Sequence, residues 1–241
     1  MRILTIGNSF SEDATRYLSQ IARAQGVYFE VVNIYIGGCS LERHYRNMLD
    51  DKKDYVLQYN GANTGFFITL REALLSRPWD VVTIQQVSHG SFNKDTYFPY
   101  ITLLVEYIRK CQPKAKLMLQ QTWGYEDGSD RLLKMAGYET MKAMTEDIKN
   151  AYAYAAESEH FDGIIPSGEL MYSMLERGIE KVHRDTFHAS LGLGRYAIGL
   201  LWFRMLTGKS VAENSFAELD IPATAEEIAI AKECVDAFEV K

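Results

Sequence analysis

Cysteine is scarce in this chain of 241 residues, and Cys39, Cys111 and Cys234 lie far apart, forming neither a CxxC pair nor a cluster with histidine. That pattern excludes a disulfide scaffold and a zinc ribbon, and it fits thiols kept reduced. Long apolar runs are also missing: no stretch approaches the ~20 residues needed to cross a bilayer, so no membrane partner is expected. Basic excess is absent too. Lys and Arg total 26 against 32 Asp and Glu, a formal net charge of −6 that argues against a nucleic-acid partner. Met1-Arg2 runs straight into a short apolar strand, without the basic start and apolar centre of a signal peptide. The expected location is therefore cytoplasmic, with export reserved for the case of a removed leader. With only five prolines, no repeat and no linker-like stretch, residues 1–241 read as one domain.

What is present is the ordinary balance of a globular protein, 47% apolar and 24% charged, in a chain long enough for one large core. Five short apolar runs read as strands buried on both faces: Ile3–Ile6, Phe29–Ile36, Val81–Ile84, Lys116–Gln120 and Gly163–Ile165. Helical spacing follows in 12–26, where Ala14, Tyr17, Leu18, Ile21 and Ala22 share a face, and near 68–77, 96–111, 131–158, 168–178, 190–207 and 224–238. Alternating strands and helices imply an α/β fold with a central five-stranded parallel sheet between two helical layers. Residues 53–69 break the alternation. Asn60-Gly61 is a hairpin signal, but the next apolar run, Phe66-Phe67-Ile68, stands farther off than a two-residue loop allows. The stretch reads as a hairpin excursion, with a plain surface insertion as the competing reading.

In an open parallel sheet, ligands bind beyond the carboxyl ends of the strands. The first strand ends in Gly7-Asn8-Ser9-Phe10-Ser11, with a helix starting near Glu12 or Asp13. A hydroxyl there sits beside free helix N–H groups that can stabilise an oxyanion, although Ser9 or Ser11 can equally serve as a helix cap. A phosphate loop is the other option, weakened by the lack of GxGxxG or GxxxxGK[ST]. The second strand ends in Gly37-Gly38-Cys39-Ser40, where a glycine permits close backbone approach; Cys39 has no local activating partner. Near the C-terminus, Asp185 and His188 stand three residues apart in a loop before a helix. A carboxylate so placed can hold an imidazole's tautomer while the other ring nitrogen accepts a hydroxyl proton. Helix capping by Asp185 is the competing reading, and two ligands without a third make metal binding weak. Glu126-Asp127 resembles a glycosidase acid pair but adjoins Gly128-Ser129-Asp130, a solvated loop.

In order and placement these blocks resemble the SGNH/GDSL hydrolases. Gly7-Asn8-Ser9-Phe10-Ser11 is similar to the GDS(L) block, Gly38 falls at the second-block glycine, and Asp185-Thr186-Phe187-His188 matches the terminal Asp-x-x-His. The resemblance spans residue 3 to about 200 and implies a flavodoxin-like three-layer αβα sandwich. It also implies Ser9 as nucleophile, His188 as base, Asp185 as its orienting partner, and the N–H groups of Ser9 and Gly38 as oxyanion donors. Asn8 replaces the usual Asp. The family's third donor, an Asn after the third strand, is replaced by Gln85-Gln86, as in some carbohydrate-acetylesterase branches, with Gln85 favoured over Gln86. Asn8, Trp123 and His44 are the side chains expected beside the substrate, with a structural role competing for His44 and packing for Trp123.

The expected activity is hydrolysis of a small ester, foremost a carbohydrate O-acetyl group, through an acyl-enzyme and without metal or organic cofactor. The alternatives are a non-catalytic carbohydrate- or nucleotide-binding module on the same fold, or an acyltransferase. The residues leave the oligomeric state open.

Overall fold

The computed structural model describes residues 1–240. All five apolar runs form strands: β1 (Arg2–Gly7), β2 (Glu30–Tyr35), β5 (Val81–Ile84), β6 (Lys116–Gln120) and β7 (Gly163–Ile165). They run parallel to one another, with Ile3 level with both Val31 and Val81. Their side chains alternate between two cores. Ile3, Val31, Val81 and Met118 point into one, and Leu4, Val32, Val82 and Leu117 into the other. Helices cover both faces. The first core is closed by α1 (Ser9–Thr15), α2 (Leu18–Ala24), α7 (Ser167–Glu176), α8 (Leu193–Thr207) and α9 (Ala225–Asp236). The second is closed by α3 (Leu41–Leu49), α4 (Leu70–Leu75), α5 (Tyr100–Cys111) and α6 (Met141–Ser158).

The expected count of five strands is corrected to seven. The 53–69 excursion is no separate flap: β3 (Tyr55–Tyr59) pairs antiparallel with β2, and β4 (Ala62–Ile68) with β3, giving the order β4-β3-β2-β1-β5-β6-β7. Asn60 (φ 50°) and Gly61 (φ 80°) do form the two-residue loop their sequence signals. Gly61 is required twice over, because a Cβ there would also lie 2.1 Å from the Arg16 carbonyl oxygen. The spacing misled because β4 opens on Ala62-Asn63-Thr64-Gly65, exposed residues without apolar alternation.

The single helix expected over 12–26 starts earlier, at Ser9, and is broken between Thr15 and Leu18. Tertiary contacts outweigh helical propensity at the break: Tyr17 donates its hydroxyl to Leu191 O (2.6 Å) and accepts from Asp220 N (2.7 Å), and Arg16 pairs with Asp220. The chain leaves β1 for helices on one face and leaves β5 for α5 on the other. The two loops diverge there and open a crevice beyond the strand ends, the switch point where such sheets bind ligands. Among the described residues, no helix is long and apolar enough to cross a membrane.

Candidate active site

The crevice brings together residues 176 positions apart in sequence. Asn8 caps α1, its Oδ1 accepting from Phe10 N (3.1 Å), so Ser9 is the first helical residue. Its hydroxyl lies 2.7 Å from His188 Nε2, and His188 Nδ1 lies 2.8 Å from Asp185 Oδ2. The second carboxylate oxygen of Asp185 accepts the His188 backbone N–H at 2.9 Å. One residue thus fixes both the ring and the main chain of the histidine. Burial acts to raise the Asp185 carboxyl, but the hydrogen bonds from His188 outweigh it and hold the carboxyl below the ordinary carboxylate range. An ionised acceptor at Nδ1 keeps the proton there and leaves Nε2 free to accept from the Ser9 hydroxyl.

Asp185 and His188 ride on a tight β-like turn, in which His183 bridges Ala189 and Arg184 N donates to His188 O (3.0 Å). At its tip Thr186 has φ 73°, a strained value for a β-branched residue; its carbonyl accepts from Glu126 N (2.8 Å). The turn is bolted to α1 by Asp13, which lies one helical turn beyond Ser9 and therefore on the same face. Asp13 is fully buried. Its carboxylate accepts from Arg184 Nη1 (2.9 and 3.0 Å), Arg195 Nε (2.8 Å) and the Ala189 backbone N–H (3.1 Å). Ser9 and His188 are thus held in register by a carboxylate that bonds to neither side chain. Asp13 was missed in the sequence; its place four residues after Ser9, and Arg184 next to Asp185, are the signals that could have found it.

Gly38 borders the same pocket as Ser9. It is the third residue of a turn closed by Cys39 N donating to Ile36 O (3.2 Å), and its φ of 60° is the left-handed value a type II turn demands at that point. The two glutamines expected as a third oxyanion donor are buried and do not border this pocket. Gln85 Nε2 donates to Asn8 Oδ1 (2.7 Å). Gln86 accepts from Leu41 N and Val87 N through Oε1 and donates to Thr96 through Nε2. Asn8 borders the pocket, and its amide donates to Cys39 O (3.0 Å) and accepts from Phe10 N and Gln85 Nε2. An Asp in place of Asn8 could not donate to Cys39 O, so the Asn and Gln substitutions belong together: they knit the loops after β1, β2 and β5.

The pocket has a volume of about 330 Å³, and its walls include Tyr35, Val87, Ser88, His89, Arg131 and Phe187. Trp123 is not among them. It is buried, donates Nε1 to Phe187 O (2.7 Å) and packs on Phe10 at 4.2 Å, supporting the wall from behind. His44 is likewise corrected from substrate contact to core. Its Nδ1 lies 2.9 Å from Tyr55 Oη and 3.5 Å from Cys39 Sγ. Burial pushes His44 down to about 3 and the Cys39 thiol up to about 12, so Cys39 carries no nucleophilic thiolate at neutral pH. Among the described residues no three His, Cys, Asp or Glu side chains converge as a metal site.

The buried histidine has a consequence for stability. The unfolded chain takes up a proton at His44 below its ordinary value of 6.5, whereas the folded protein does not until about 3. Stability should therefore fall as pH drops from 6.5 towards 3, by at most about 1.4 kcal/mol per pH unit for this one group. Urea unfolding at pH 7 and pH 5 should show that loss in the parent and a shallower slope in His44→Gln; equal slopes would rule out His44 as its source.

The comparisons agree with this architecture. Residues 2–236 match the family described as Domain of unknown function (DUF4886). A crystal structure of a DUF4886 family protein from Bacteroides uniformis ATCC 8492 is 31% identical, with a TM-score of 0.89 over 98% of this chain and 93% of that one. The chain therefore belongs to the DUF4886 family. A protein of Slackia heliotrinireducens, described as a candidate SGNH hydrolase, is 22% identical with a TM-score of 0.60, covering 86% of this chain and 98% of that one. The lipase/acylhydrolase of Enterococcus faecalis is 15% identical with a TM-score of 0.57, covering 93% and 100%. At these identities the likeness is one of fold: an α/β sheet flanked by helices, as in SGNH/GDSL-type hydrolases. No curated protein matches the chain.

Proposed function

We propose that this DUF4886 protein is a serine esterase that removes a small acyl group, an acetyl ester on a carbohydrate in first place. The observation that carries the reading is the unbroken hydrogen-bonded line Ser9 Oγ, His188 Nε2, His188 Nδ1, Asp185 Oδ2, with links of 2.7 and 2.8 Å. In the proposed reaction His188 Nε2 takes the hydroxyl proton as Ser9 Oγ attacks the acyl carbon. The oxyanion is held by the N–H groups of Ser9 and Gly38, the former a first-turn donor with no intrahelical acceptor. The tetrahedral intermediate collapses, and the alcohol leaves with the proton carried by His188. Water, deprotonated in turn by His188, then cleaves the acyl-enzyme to release the acid and restore Ser9. No step calls for a metal or organic cofactor.

The pocket volume of about 330 Å³, near the lower end for small-molecule sites, supports a short acyl chain. Steady-state hydrolysis of p-nitrophenyl esters tests this. kcat/KM should be highest for acetate and fall steeply by octanoate; a rate rising with chain length would instead mean a lipase.

A further inference from the structure

One charged group in the pocket has no part in the mechanism. Arg131 opens a π-helical turn (Arg131–Ala136), and its guanidinium carbon lies 3.8 Å from the centre of the Phe187 ring and 5.6 Å from that of Tyr125. Phe187 in turn packs on His188 at 3.8 Å, so the cation stands one ring away from the base. Among the described residues Arg131 has no carboxylate within ion-pair distance, although its own loop is rich in them. Glu126 pairs with Lys181 (3.3 Å), Asp130 with Lys134 (2.9 Å), and Asp127 accepts the Met141 backbone N–H. The pocket lining includes no Asp or Glu, in a chain whose net charge is −6. The guanidinium meets the Tyr125 hydroxyl in a side-chain hydrogen bond; with five N–H donors, its planar fork has others left over, and these match a carboxylate.

We infer that Arg131 recognises an anionic group, a carboxylate, on the ester substrate, so that the enzyme acts on acylated acids such as an O-acetylated acidic sugar. This rests on the esterase reading of Ser9. A cation fixed beside the reacting ester attracts an acid that the rest of the protein's charge repels. The aromatic contacts set the height and direction of the fork, and the tie between Glu126 N and Thr186 O holds the Arg131 loop against the turn that carries His188. The rival explanation is that Arg131 only props Phe187.

Two matched esters separate the possibilities: 3-acetoxybenzoate, which is anionic, and 3-acetoxybenzamide, its neutral counterpart. The parent should prefer the benzoate about tenfold or more in kcat/KM, the scale of one charge-assisted contact. That preference should shrink as salt is added. Arg131→Gln should bring the ratio close to one, and Arg131→Lys should keep part of it. A prop would lower both rates together and leave the ratio untouched. A ratio near one in the parent, or one unchanged in Arg131→Gln, overturns the inference. Binding of the same two compounds to Ser9→Ala reads charge recognition apart from turnover. There the benzoate should bind about tenfold more tightly, and adding Arg131→Gln should abolish the difference. Equal affinities would sink the inference even if the esterase reading holds. Selective binding without Ser9-dependent turnover in the parent would sink the esterase reading instead.

Discussion

Replacing Ser9 by Ala should lower hydrolysis of p-nitrophenyl acetate by roughly 10⁴-fold or more while leaving the fold and melting temperature close to those of the parent. The loss is large because, on the proposed reading, Ser9 Oγ is the atom that bonds to the acyl carbon, and no other hydroxyl takes its place beside His188: Ser88, also in the pocket wall, has its Oγ 3.0 Å from Tyr125 Oη instead. Cys39 is buried with its thiol protonated, and Ser11 is turned inward, its one hydroxyl proton facing two acceptors, Asn8 O and Asn33 Oδ1, each at 2.8 Å. The fold should survive because Ser9 is not the helix cap. That task belongs to Asn8. His188→Ala should produce a loss of similar order, and the double variant little more, since the two act as one unit. Turnover in Ser9→Ala within tenfold of the parent would end the assignment of Ser9 as nucleophile.

Asp13→Asn should be the most damaging substitution outside the reacting groups. It leaves Arg184 without its carboxylate and Arg195 with only Asp220, at 3.3 Å, and weakens the acceptor for Ala189 N. Removing one partner from a buried ion pair costs about 3–5 kcal/mol. For a chain of this size that lowers Tm by roughly 6–20 °C, as thermal unfolding followed by circular dichroism would show. Activity should fall as well, because the turn carrying Asp185 and His188 loses its tie to the helix carrying Ser9. Arg184→Met added to Asp13→Asn should recover part of the stability by removing the orphaned charge. A loss below 1 kcal/mol in Asp13→Asn would mean that the turn is held by its backbone bonds alone.

The parallel half of the sheet was legible because its strands are buried on both faces and so appear as uninterrupted apolar runs, Ile3–Ile6 and Val81–Ile84 among them. The antiparallel pair was not. β4 lies at the sheet edge with exposed residues from Ala62 to Phe67, and an edge strand need not alternate. The grouping of Ser9, Asp185 and His188 was readable because the acid and base are three residues apart and strand order dictates which loops meet. The partners of the glutamines were not legible, for a reason intrinsic to amides. Gln85 and Gln86 each carry donors and an acceptor, and only the three-dimensional partners, Asn8 for one and Thr96 and Leu41 for the other, decide which are free. Trp123 follows a strand as a sugar platform would, yet its indole N–H is consumed by Phe187 O. Arg131 follows a run of acids that read as solvated loop, and no local pattern signals that all of them pair elsewhere.

The central claim, that His188 and Asp185 activate the Ser9 hydroxyl, is tested most directly by a fluorophosphonate and intact-mass spectrometry, with peptide mapping of the adduct. One equivalent should add to the parent at Ser9, none to Ser9→Ala, and His188→Ala should be labelled far more slowly. An adduct on another residue, or labelling of the parent no faster than of His188→Ala, would contradict it.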